Sequence, residues 1–493
     1  MIKYSRLLLN PTKLLHTLSS ETIFALSSGH GKCGVAVIRV SGSNSITALK
    51  QMTSSKPLPQ PRVATLRSIK DPTTNEIIDK SLVLWFPGPK SFTGEDSFEL
   101  QVHGGLAVIN AVLKALSAIP RCRLAEPGEF TKRAFFNGKL DLTEVEGLAD
   151  LLQAETELQR KQAFLQSQGS LSKLYGKWRS TLKHCMAHIE AYIDFEETET
   201  LETGIIESVR RDIEKLAEEL KAHLSNGRRG EILRNGVKTV ILGEPNAGKS
   251  SLLNLLCARP AAIVTPIPGT TRDVLEVTLN IDGYPLVLAD TAGLRARTED
   301  LIEQEGIHRA IQLYHKSDFV ILVINVERYL KWKQQHTNGS LKDYIVQYVD
   351  GLNLPKFFID RKNLISTKPC VMVFNKIDLA DRSEYIQGEN YLSISCTKET
   401  GVDDLIRTIS QHLKRICGEP SAEHPSMNQL RHREHLGACL GHLESFLAQH
   451  QRQDTVLMAE HLRKSMHQLG KLVGSVTAEE LLDVIFRDFC VGK

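Results

Sequence analysis

Residues Gly243–Ser250 read GEPNAGKS and form the first group of residues with recognisable chemistry. The apolar run Val237–Leu242 precedes them and a leucine-rich run follows, which predicts a strand, a loop and a helix. In such a loop the backbone N–H groups face one anion, and the helix N-terminus adds its dipole. We predict a phosphate-binding loop in which Lys249 reaches the β- and γ-phosphates of a nucleotide and Ser250 binds Mg²⁺.

Four further polar stretches follow in the order that a GTPase requires. They are Gly269–Asp273 (GTTRD), Asp290–Gly293 (DTAG), Asn375–Asp378 (NKID) and Ser395–Thr397 (SCT). Asp378 can accept two hydrogen bonds from guanine, a pattern that adenine cannot offer, so this stretch selects GTP. Asp290 can bind Mg²⁺ through water, and the Gly293 N–H can meet the γ-phosphate. The predicted GTP-binding residues are Asn246, Ala247, Gly248, Lys249, Ser250, Ser251, Thr265, Thr270, Thr271, Asp290, Thr291, Ala292, Gly293, Asn375, Lys376, Asp378, Ser395, Cys396 and Thr397.

The catalytic residue is less obvious than the binding residues. Leu294 occupies the position at which the Ras pattern has a water-orienting glutamine, so hydrolysis needs another residue. Glu303 and Glu305 are the candidates; the alternative for each is an exposed helical glutamate without a catalytic role.

The segment from Thr22 to about Leu140 alternates short β-rich runs with turn residues, which predicts a compact α+β domain. Arg39 lies within one of its apolar strands and Glu99 within another. From the residues alone, an ion pair between these two side chains is the plain interpretation, and composition assigns them no ligand.

Length, charge and cysteine content limit the possible classes of protein. A chain of 493 residues is enough for roughly three domains. The net charge of +3 is too small for the whole surface to indicate nucleic-acid binding, so any RNA contact must be local. The nine cysteines include no C-x-x-C pair, which fits a reducing compartment and indicates neither a zinc site nor a disulfide framework. No apolar run approaches the ~18 residues that a membrane span needs.

The N-terminus has a distinct composition. It is rich in leucine, hydroxyl and basic residues, and no acid precedes Glu21. We predict an amphipathic mitochondrial transit peptide over residues 1–21, with a disordered tail as the alternative.

Helical spacing of apolar residues extends from Asp141 to about Leu224 and resumes between Leu436 and Leu469. Asn226–Gly230 (NGRRG) is a predicted linker. We predict a multidomain α/β protein in which a Ras-like, doubly wound P-loop GTPase domain is inserted between two chain segments of one helical domain. The predicted boundaries are 22–140 for the N-terminal domain, 141–233 and 419–493 for the helical domain, and 234–418 for the GTPase domain.

These residues together resemble one family, the tRNA wobble-uridine-modifying GTPases of the MnmE (TrmE) type in their mitochondrial form. The resemblance covers nearly the whole chain from Thr22. The motifs that carry it are Ser91–Asp96 (SFTGED), His103–Gly105 (HGG), Pro127–Phe130 (PGEF), Asn137–Asp141 (NGKLD), Asn246, Thr265–Thr271 (TPIPGTT) and the terminal FCVGK.

The resemblance implies that the N-terminal domain forms a homodimer and binds a folate, 5-formyltetrahydrofolate or a related tetrahydrofolate. Arg39, Glu99, Lys139 and Lys493 match the family's folate contacts. A carboxylate can read the pterin edge, and cations can clamp the glutamate tail. For Cys490 two interpretations stay open, namely thiol chemistry on the pyrimidine or a small residue lining the folate pocket.

The resemblance also implies that K⁺ activates GTP hydrolysis when two GTPase domains dock. The matching K⁺ positions are Asn246, Thr265, Ile267 and Thr270, and the Mg²⁺ positions are Ser250 and Thr271. Bound between the β- and γ-phosphates, K⁺ can do the electrostatic work of an arginine finger. Glu303 matches the family's water-activating glutamate and joins Lys249 as a predicted catalytic residue.

The predicted function is therefore a mitochondrial GTPase that modifies C5 of the wobble uridine of tRNA with a folate-derived carbon. Residues Gly29–Gly34 (GHGKCG) have the G-x-G-x-x-G spacing, but a β-rich run follows them and not the helix that a dinucleotide-binding fingerprint needs. The resemblance therefore assigns the flavin to an FAD-binding partner of the GidA (MnmG) type. The product is 5-taurinomethyluridine or 5-carboxymethylaminomethyluridine. The alternative is a GTP-timed assembly or ribosome-biogenesis switch, which would need no folate site.

Overall fold

The computed structural model describes most of the chain. The described residues are 21–29, 31–53, 57–195, 204–259, 262–263, 277–288, 312–352, 367–380, 386–388, 390–450, 454–474, 485–486, 489 and 492–493.

The chain divides into two compact units. The first contains residues 1–149, 167–179 and 466–493, and the second contains residues 150–166 and 180–465. The second unit holds both the GTPase segment and much of the helical region, and the domain boundaries predicted from the sequence stay predictions.

The first unit contains a mixed sheet whose described strands run in the order β3-β4-β5-β2-β1-β6. Only the β1–β6 pair is parallel among these strands. The strands are β1 Thr22–Leu26, β2 Val35–Ser41, β3 Thr65–Lys70, β4 Ile77–Phe86, β5 Ser97–His103 and β6 Cys122–Leu124. Two helices, α1 Ser45–Met52 and α2 Leu106–Ser117, complete the predicted α+β pattern.

The alternation of side chains determines what each face of this sheet carries. Ile38 and Val40 are fully buried in a core shared with α1 and α2, and so are Phe98 and Leu100. Because successive residues of a strand point to opposite faces, Arg39 lies on the face away from that core. Glu99, between Phe98 and Leu100, lies on the same face, since β2 and β5 pair Arg39 with Glu99.

The predicted helical segments are present as long helices. These are α4 Leu142–Gln153, α5 Glu157–Ser167, α6 Ser170–Phe195, α7 Gly204–Asn235 and, after the GTPase segment, α12 Leu430–His450 and α13 Thr455–Leu472. A shorter helix, α3 Glu129–Phe136, precedes them within the segment predicted as the N-terminal domain. No helix among the described residues is long and apolar enough to cross a membrane.

The linker predicted at Asn226–Gly230 is wrong, because α7 continues through it to Asn235. Gly227 and Gly230 are buried in that helix. A Cβ on Gly227 would lie 2.0 Å from the Met427 side chain, and one on Gly230 would lie 2.1 Å from the Met427 carbonyl oxygen. These glycines therefore permit close packing rather than a break in the helix.

The GTPase segment forms a second sheet, whose described strands run in the order β13-β14-β12-β11-β7-β10-β9-β8. Its central strands, from β14 to β10, are parallel. The strands are β7 Val237–Leu242, β8 Ala262–Ile263, β9 Val277–Ile281, β10 Tyr284–Leu288, β11 Phe319–Asn325, β12 Cys370–Asn375, β13 Gln387–Gly388 and β14 Tyr391–Ser393.

Helices cover both faces of this sheet, as a doubly wound fold requires. They are α8 Lys249–Ala258, α9 Val326–Gln335, α10 Leu341–Gly351 and α11 Val402–Cys417. The odd-numbered residues of β11 from Phe319 to Val323 join a core with α8 and α11. The even-numbered residues from Val320 to Ile324 join a core with α9 and α10. β11 is therefore buried on both faces, and its carboxyl end points toward the phosphate loop.

Candidate functional site: a phosphate loop and a buried arginine

The predicted phosphate loop connects the end of β7 to the start of α8. Gly243 and Gly248 have φ angles of 152° and 99°, which L side chains rarely adopt. A Cβ on Gly248 would lie 2.0 Å from the Asn375 Nδ2 atom, and one on Gly243 would lie 2.3 Å from the Val323 carbonyl oxygen. Gly243 is thus required by the close approach of a backbone carbonyl group and Gly248 by that of the Asn375 side chain. The loop keeps the shape of an anion cradle that opens onto a helix N-terminus.

Lys249 is held within this loop. Its Nζ atom donates hydrogen bonds to the carbonyl oxygens of Gly243 at 2.7 Å and of Glu244 at 2.8 Å. Burial lowers the pKa of Lys249, and the negative charge of Glu244 opposes that effect. These partners keep the ammonium group beside the loop, where an anionic phosphate would take their place.

Asn375 joins the phosphate loop to the two guanine-site stretches. Its Nδ2 donates to the Ala247 carbonyl oxygen at 3.0 Å, and its Oδ1 accepts from the Cys396 N–H at 3.3 Å. The side chain is 2% exposed, so both bonds are shielded from water. Asn375 therefore sets the separation between the phosphate and base ends of the site.

Asp378 is oriented by the last stretch. The Ser395 hydroxyl donates to Asp378 Oδ1 at 2.6 Å, and this bond lowers the pKa of Asp378. The carboxylate is therefore ionised at neutral pH and can accept hydrogen bonds from guanine. Thr397 lies 3.0 Å from Ser395 between hydroxyl oxygens, which extends the same network.

In the first unit, Arg39 and Glu99 form the predicted ion pair. Arg39 Nη2 lies 3.0 Å from Glu99 Oε1, and both side chains are largely buried. The guanidinium carbon lies 5.3 Å from the centre of the Phe92 ring and 5.8 Å from that of Phe130. The positive charge is thus enclosed by two aromatic rings and one carboxylate.

One donor of this arginine has no partner. Arg39 Nη1 is buried and makes no hydrogen bond to any described residue. Leaving a buried charged donor unsatisfied costs about 1–3 kcal/mol or more, so the site is suited to an added acceptor. An anionic or carbonyl-bearing ligand would supply one.

The C-terminal residues lie against the neighbouring strand. Ser27, just after β1, donates its hydroxyl to the Gly492 carbonyl oxygen at 3.0 Å. A Cβ on Gly492 would lie 2.3 Å from the Leu26 carbonyl oxygen, and the φ of Gly492 is 97°. Because Ala25 of β1 pairs with Arg39, this tail brings Lys493 to the same sheet region.

Two family models match the chain. The model of the GTP-binding protein TrmE N-terminus matches residues 22–139, and the model of the MnmE helical domain matches residues 142–490, more than half of the chain. The chain belongs to the MnmE family of tRNA modification GTPases. The predicted GTP hydrolase activity coupled to tRNA modification is confirmed by this membership.

Individual MnmE-family relatives match almost end to end. A Danio rerio protein named mitochondrial 5-taurinomethyluridine-tRNA synthase subunit is 47% identical over 483 residues, covering 96% of this chain and 93% of that protein. A Homo sapiens protein of the same name is 45% identical, with 96% and 94% covered. The tRNA modification GTPase MnmE of Parvibaculum lavamentivorans is 44% identical, with 96% and 100% covered. The protein is mitochondrial, as predicted.

The structure places part of the predicted MnmE-family GTP site. It brings together the phosphate loop, Asn375, Asp378 and Ser395, while Lys376 has a left-handed φ of 69° beside them. The following predicted residues lie outside the described part of the chain: Thr265, Ile267, Thr270, Thr271, Asp290, Thr291, Ala292, Gly293, Leu294, Glu303, Glu305 and Cys490.

The contacts of the folate residues predicted from the MnmE-family resemblance differ from one residue to the next. Arg39 and Glu99 are in direct contact, and Gly492 puts the tail beside them. Lys139 is exposed, just beyond α3, and its backbone N–H donates to the Ala134 carbonyl oxygen at 2.8 Å.

The two aromatic rings beside Arg39 are not among the site residues predicted from the sequence. Phe92 and Phe130 stand in two of the specific motifs, yet neither was assigned a role. An aromatic residue in a polar loop was the available signal. No sequence pattern predicts that both rings lie against Arg39, because the three residues are far apart in the chain.

A charged network fixes Phe130 through its neighbour Glu129. Arg123 donates to both carboxylate oxygens of Glu129, at 2.7 and 2.8 Å, and Arg133 donates to one of them at 3.0 Å. Burial raises the pKa of Glu129, but the hydrogen bonds from Arg123 and the charge of Arg133 outweigh burial and hold that pKa below its usual value. The start of α3 is thereby locked at the edge of the arginine site.

Proposed function

We propose that this GTPase, with an FAD-binding partner of the GidA (MnmG) type, installs a tetrahydrofolate-derived carbon at C5 of the wobble uridine of mitochondrial tRNAs. The observation that carries the proposal is the largely buried Arg39, whose Nη1 atom is buried and has no hydrogen-bond partner among the described residues, in a chain that also holds GTP-site motifs. A GTP-timed switch has no need of such a group.

The folate class fits the residues around Arg39. Glu99 offers a carboxylate to a pterin edge, and Phe92 offers a ring face, while Lys139 and Lys493 are cations for a glutamate tail. When bound, a tetrahydrofolate supplies the one-carbon group. The chain's own residues hold and orient it and exclude water from the guanidinium.

The product is proposed as 5-taurinomethyluridine. The Danio rerio and Homo sapiens relatives carry that nucleoside in their names, which supports the taurine product over 5-carboxymethylaminomethyluridine. The residues near Arg39 do not themselves choose between the two amines.

GTP hydrolysis is proposed to depend on Mg²⁺ and K⁺. Ser250 and Thr271 are the proposed Mg²⁺ residues, and Asn246 with Thr265, Ile267 and Thr270 are the proposed K⁺ residues. Asn246 is an exposed residue of the phosphate loop and has a φ of 62°. Glu303 is proposed to position the attacking water, since Leu294 cannot.

A homodimer through the N-terminal domain is supported by the sheet face that carries Arg39. Leu66 and Leu82 are directly paired on that face and are 65% and 40% exposed. A partner that covers this pair would remove apolar surface from water. A second copy of the chain is the proposed occupant.

The alternative is a GTP-timed assembly or ribosome-biogenesis switch. Mass spectrometry of mitochondrial tRNA nucleosides after loss of the protein separates the two functions. The proposed function expects the modified wobble uridine to disappear while other tRNA modifications persist. Unchanged wobble uridines together with a ribosome-assembly defect would favour the switch.

A further inference from the structure

Tyr348 connects the helix α10 to the phosphate loop. Its side chain is 5% exposed and packs in the core formed by β11 with α9 and α10. The hydroxyl accepts a hydrogen bond from the Glu244 N–H at 3.0 Å and donates one to the Val323 carbonyl oxygen at 2.7 Å. Glu244 is the second residue of the phosphate loop, so a buried hydroxyl touches the loop directly.

The directions of these two bonds are unambiguous. A backbone N–H can only donate and a carbonyl oxygen can only accept, so the hydroxyl must accept from Glu244 and donate to Val323. Burial raises the pKa of Tyr348, which keeps the donating proton in place at neutral pH. A phenylalanine of the same shape would remove both of these hydrogen bonds.

The end of the sheet explains why the hydroxyl is needed here. The pairing of β7 with β11 ends at Leu242 and Leu322. The next residue, Gly243, turns so closely past Val323 that a Cβ would lie 2.3 Å from the Val323 carbonyl oxygen. Tyr348 supplies a hydrogen bond to that oxygen at the point where the strand pairing stops, and its other bond orients the chain that leaves the sheet.

The peptide groups at this turn are held from both sides. Tyr348 holds the Glu244 N–H, and Lys249 donates to the carbonyl oxygens of Gly243 and Glu244. Arg328 of α9 also forms an ion pair with the Glu244 carboxylate. That pair is partly exposed and contributes little by itself. The buried tyrosine is therefore the main tie between these helices and the loop.

We propose that Tyr348 is a positioning residue for GTP binding, which fixes the entrance of the phosphate loop so that its N–H groups and Lys249 face the β-phosphate. It acts through the Glu244 and Gly243 peptides. Preorganised donors are effective because the protein need not order them when the nucleotide arrives.

The test is Tyr348→Phe in the full-length protein, with Tyr344→Phe as the matched control. Tyr344 lies one turn earlier on α10 and is 6% exposed, and its hydroxyl makes no hydrogen bond to the phosphate loop within the described part of the chain. The readouts are the Kd of a fluorescent GDP analogue, KM and kcat for GTP, and the Tm without nucleotide. Tyr348→Phe is expected to raise the Kd and KM roughly tenfold, the scale of one net hydrogen bond, with kcat per active site nearly unchanged.

A merely structural role gives a different pattern. It would lower the Tm and the fraction of active protein while the folded molecules kept the wild-type Kd. That result, or an equal rise in Kd for Tyr344→Phe, would overturn the proposal. Tyr348→Leu provides a second variant, in which both the hydroxyl and the ring are lost and the Kd should rise at least as far.

Discussion

Asn375 and Asp378 illustrate how single side chains build the GTP site. Asn375 is 2% exposed and uses both ends of its amide, one for the phosphate loop and one for the Cys396 N–H. Asp378 is aimed by the Ser395 hydroxyl at 2.6 Å. Both side chains act through contacts between separate loops, so their substitution should weaken nucleotide binding and, for the buried Asn375, also lower stability.

The first residue-scale prediction concerns K⁺. Hydrolysis should be much faster in KCl than in NaCl at equal ionic strength, because a K⁺ ion held by Asn246 would balance charge that develops between the β- and γ-phosphates. Asn246→Ala should remove most of this difference in steady-state phosphate release. Equal wild-type rates in the two salts would contradict the potassium proposal.

Glu303→Ala provides the complementary control within the same mechanism. GTP binding and the K⁺ dependence of association should persist, while turnover should fall ~10²- to 10⁴-fold, as for loss of a water-positioning residue. Wild-type turnover in this variant would show that Glu303 is an exposed helical glutamate without a catalytic role.

The second residue-scale prediction concerns the C-terminal lysine. Removal of Lys493 should weaken binding of 5-formyltetrahydrofolate by ~1–3 kcal/mol, the scale of a lost charge-assisted contact. GTP affinity should not change. Calorimetry with both ligands measures this, and equal folate affinity with and without Lys493 would show that the tail does not contribute to the site.

At the scale of elements, α7 is the direct connection from the helical region to the GTPase sheet. It ends at Asn235, and β7 begins at Val237 and leads straight into the phosphate loop. The buried Gly227 and Gly230 allow Met427 to approach this helix. The helix is therefore a rigid connection and not a flexible one.

The element-scale prediction is that Gly230→Ala destabilises the protein. Its Cβ would lie 2.1 Å from the Met427 carbonyl oxygen, and a backbone atom cannot move aside cheaply. The expected loss is about 1–3 kcal/mol, as for other overpacked sites. Thermal unfolding followed by circular dichroism measures the change.

Gly437→Ala is the matched control. Gly437 also lies within a helix, but a Cβ there would meet no atom within 4 Å. This variant should be more stable by roughly 0.5–1 kcal/mol, because alanine favours helix. Equal shifts in the two variants would show that the approach of Met427 has no energetic weight.

At the scale of the whole molecule, the candidate GTP site and the proposed folate site lie in different compact units. The GTP site belongs to the unit that contains residues 180–465, and the arginine site belongs to the unit that contains residues 1–149. Association between two copies of the chain would cover a larger surface than either of these sites. The exposed pair Leu66 and Leu82 lies on the face proposed for that association.

The whole-molecule prediction is that Leu66→Glu converts the proposed homodimer into a monomer. A carboxylate buried in each copy's half of a symmetric interface costs desolvation without a counter-charge. Sedimentation velocity of the full chain gives the result. Val456→Glu is the control, since Val456 is also 65% exposed but lies on α13, and it should sediment as wild type. Dimers in both variants would exclude this sheet face.

The sequence by itself determined the GTP-site motifs, most strands and helices, and the alternation that puts Arg39 and Glu99 on one face. These features are local, because a phosphate loop or an amphipathic strand is specified by residues that lie close together in the chain. The switch residues from Thr265 to Thr271 and Glu303 stay predictions of this kind.

Only the tertiary structure decided what the distant residues do. Phe92 and Phe130 meet Arg39, Asn375 bridges two loops, and Tyr348 holds Glu244, though no spacing in the chain relates them. The glycines of α7 make the same point, because a missing side chain gives either flexibility or close approach. Only the residue that packs against the glycine, here Met427 of the same chain, determines which of the two applies.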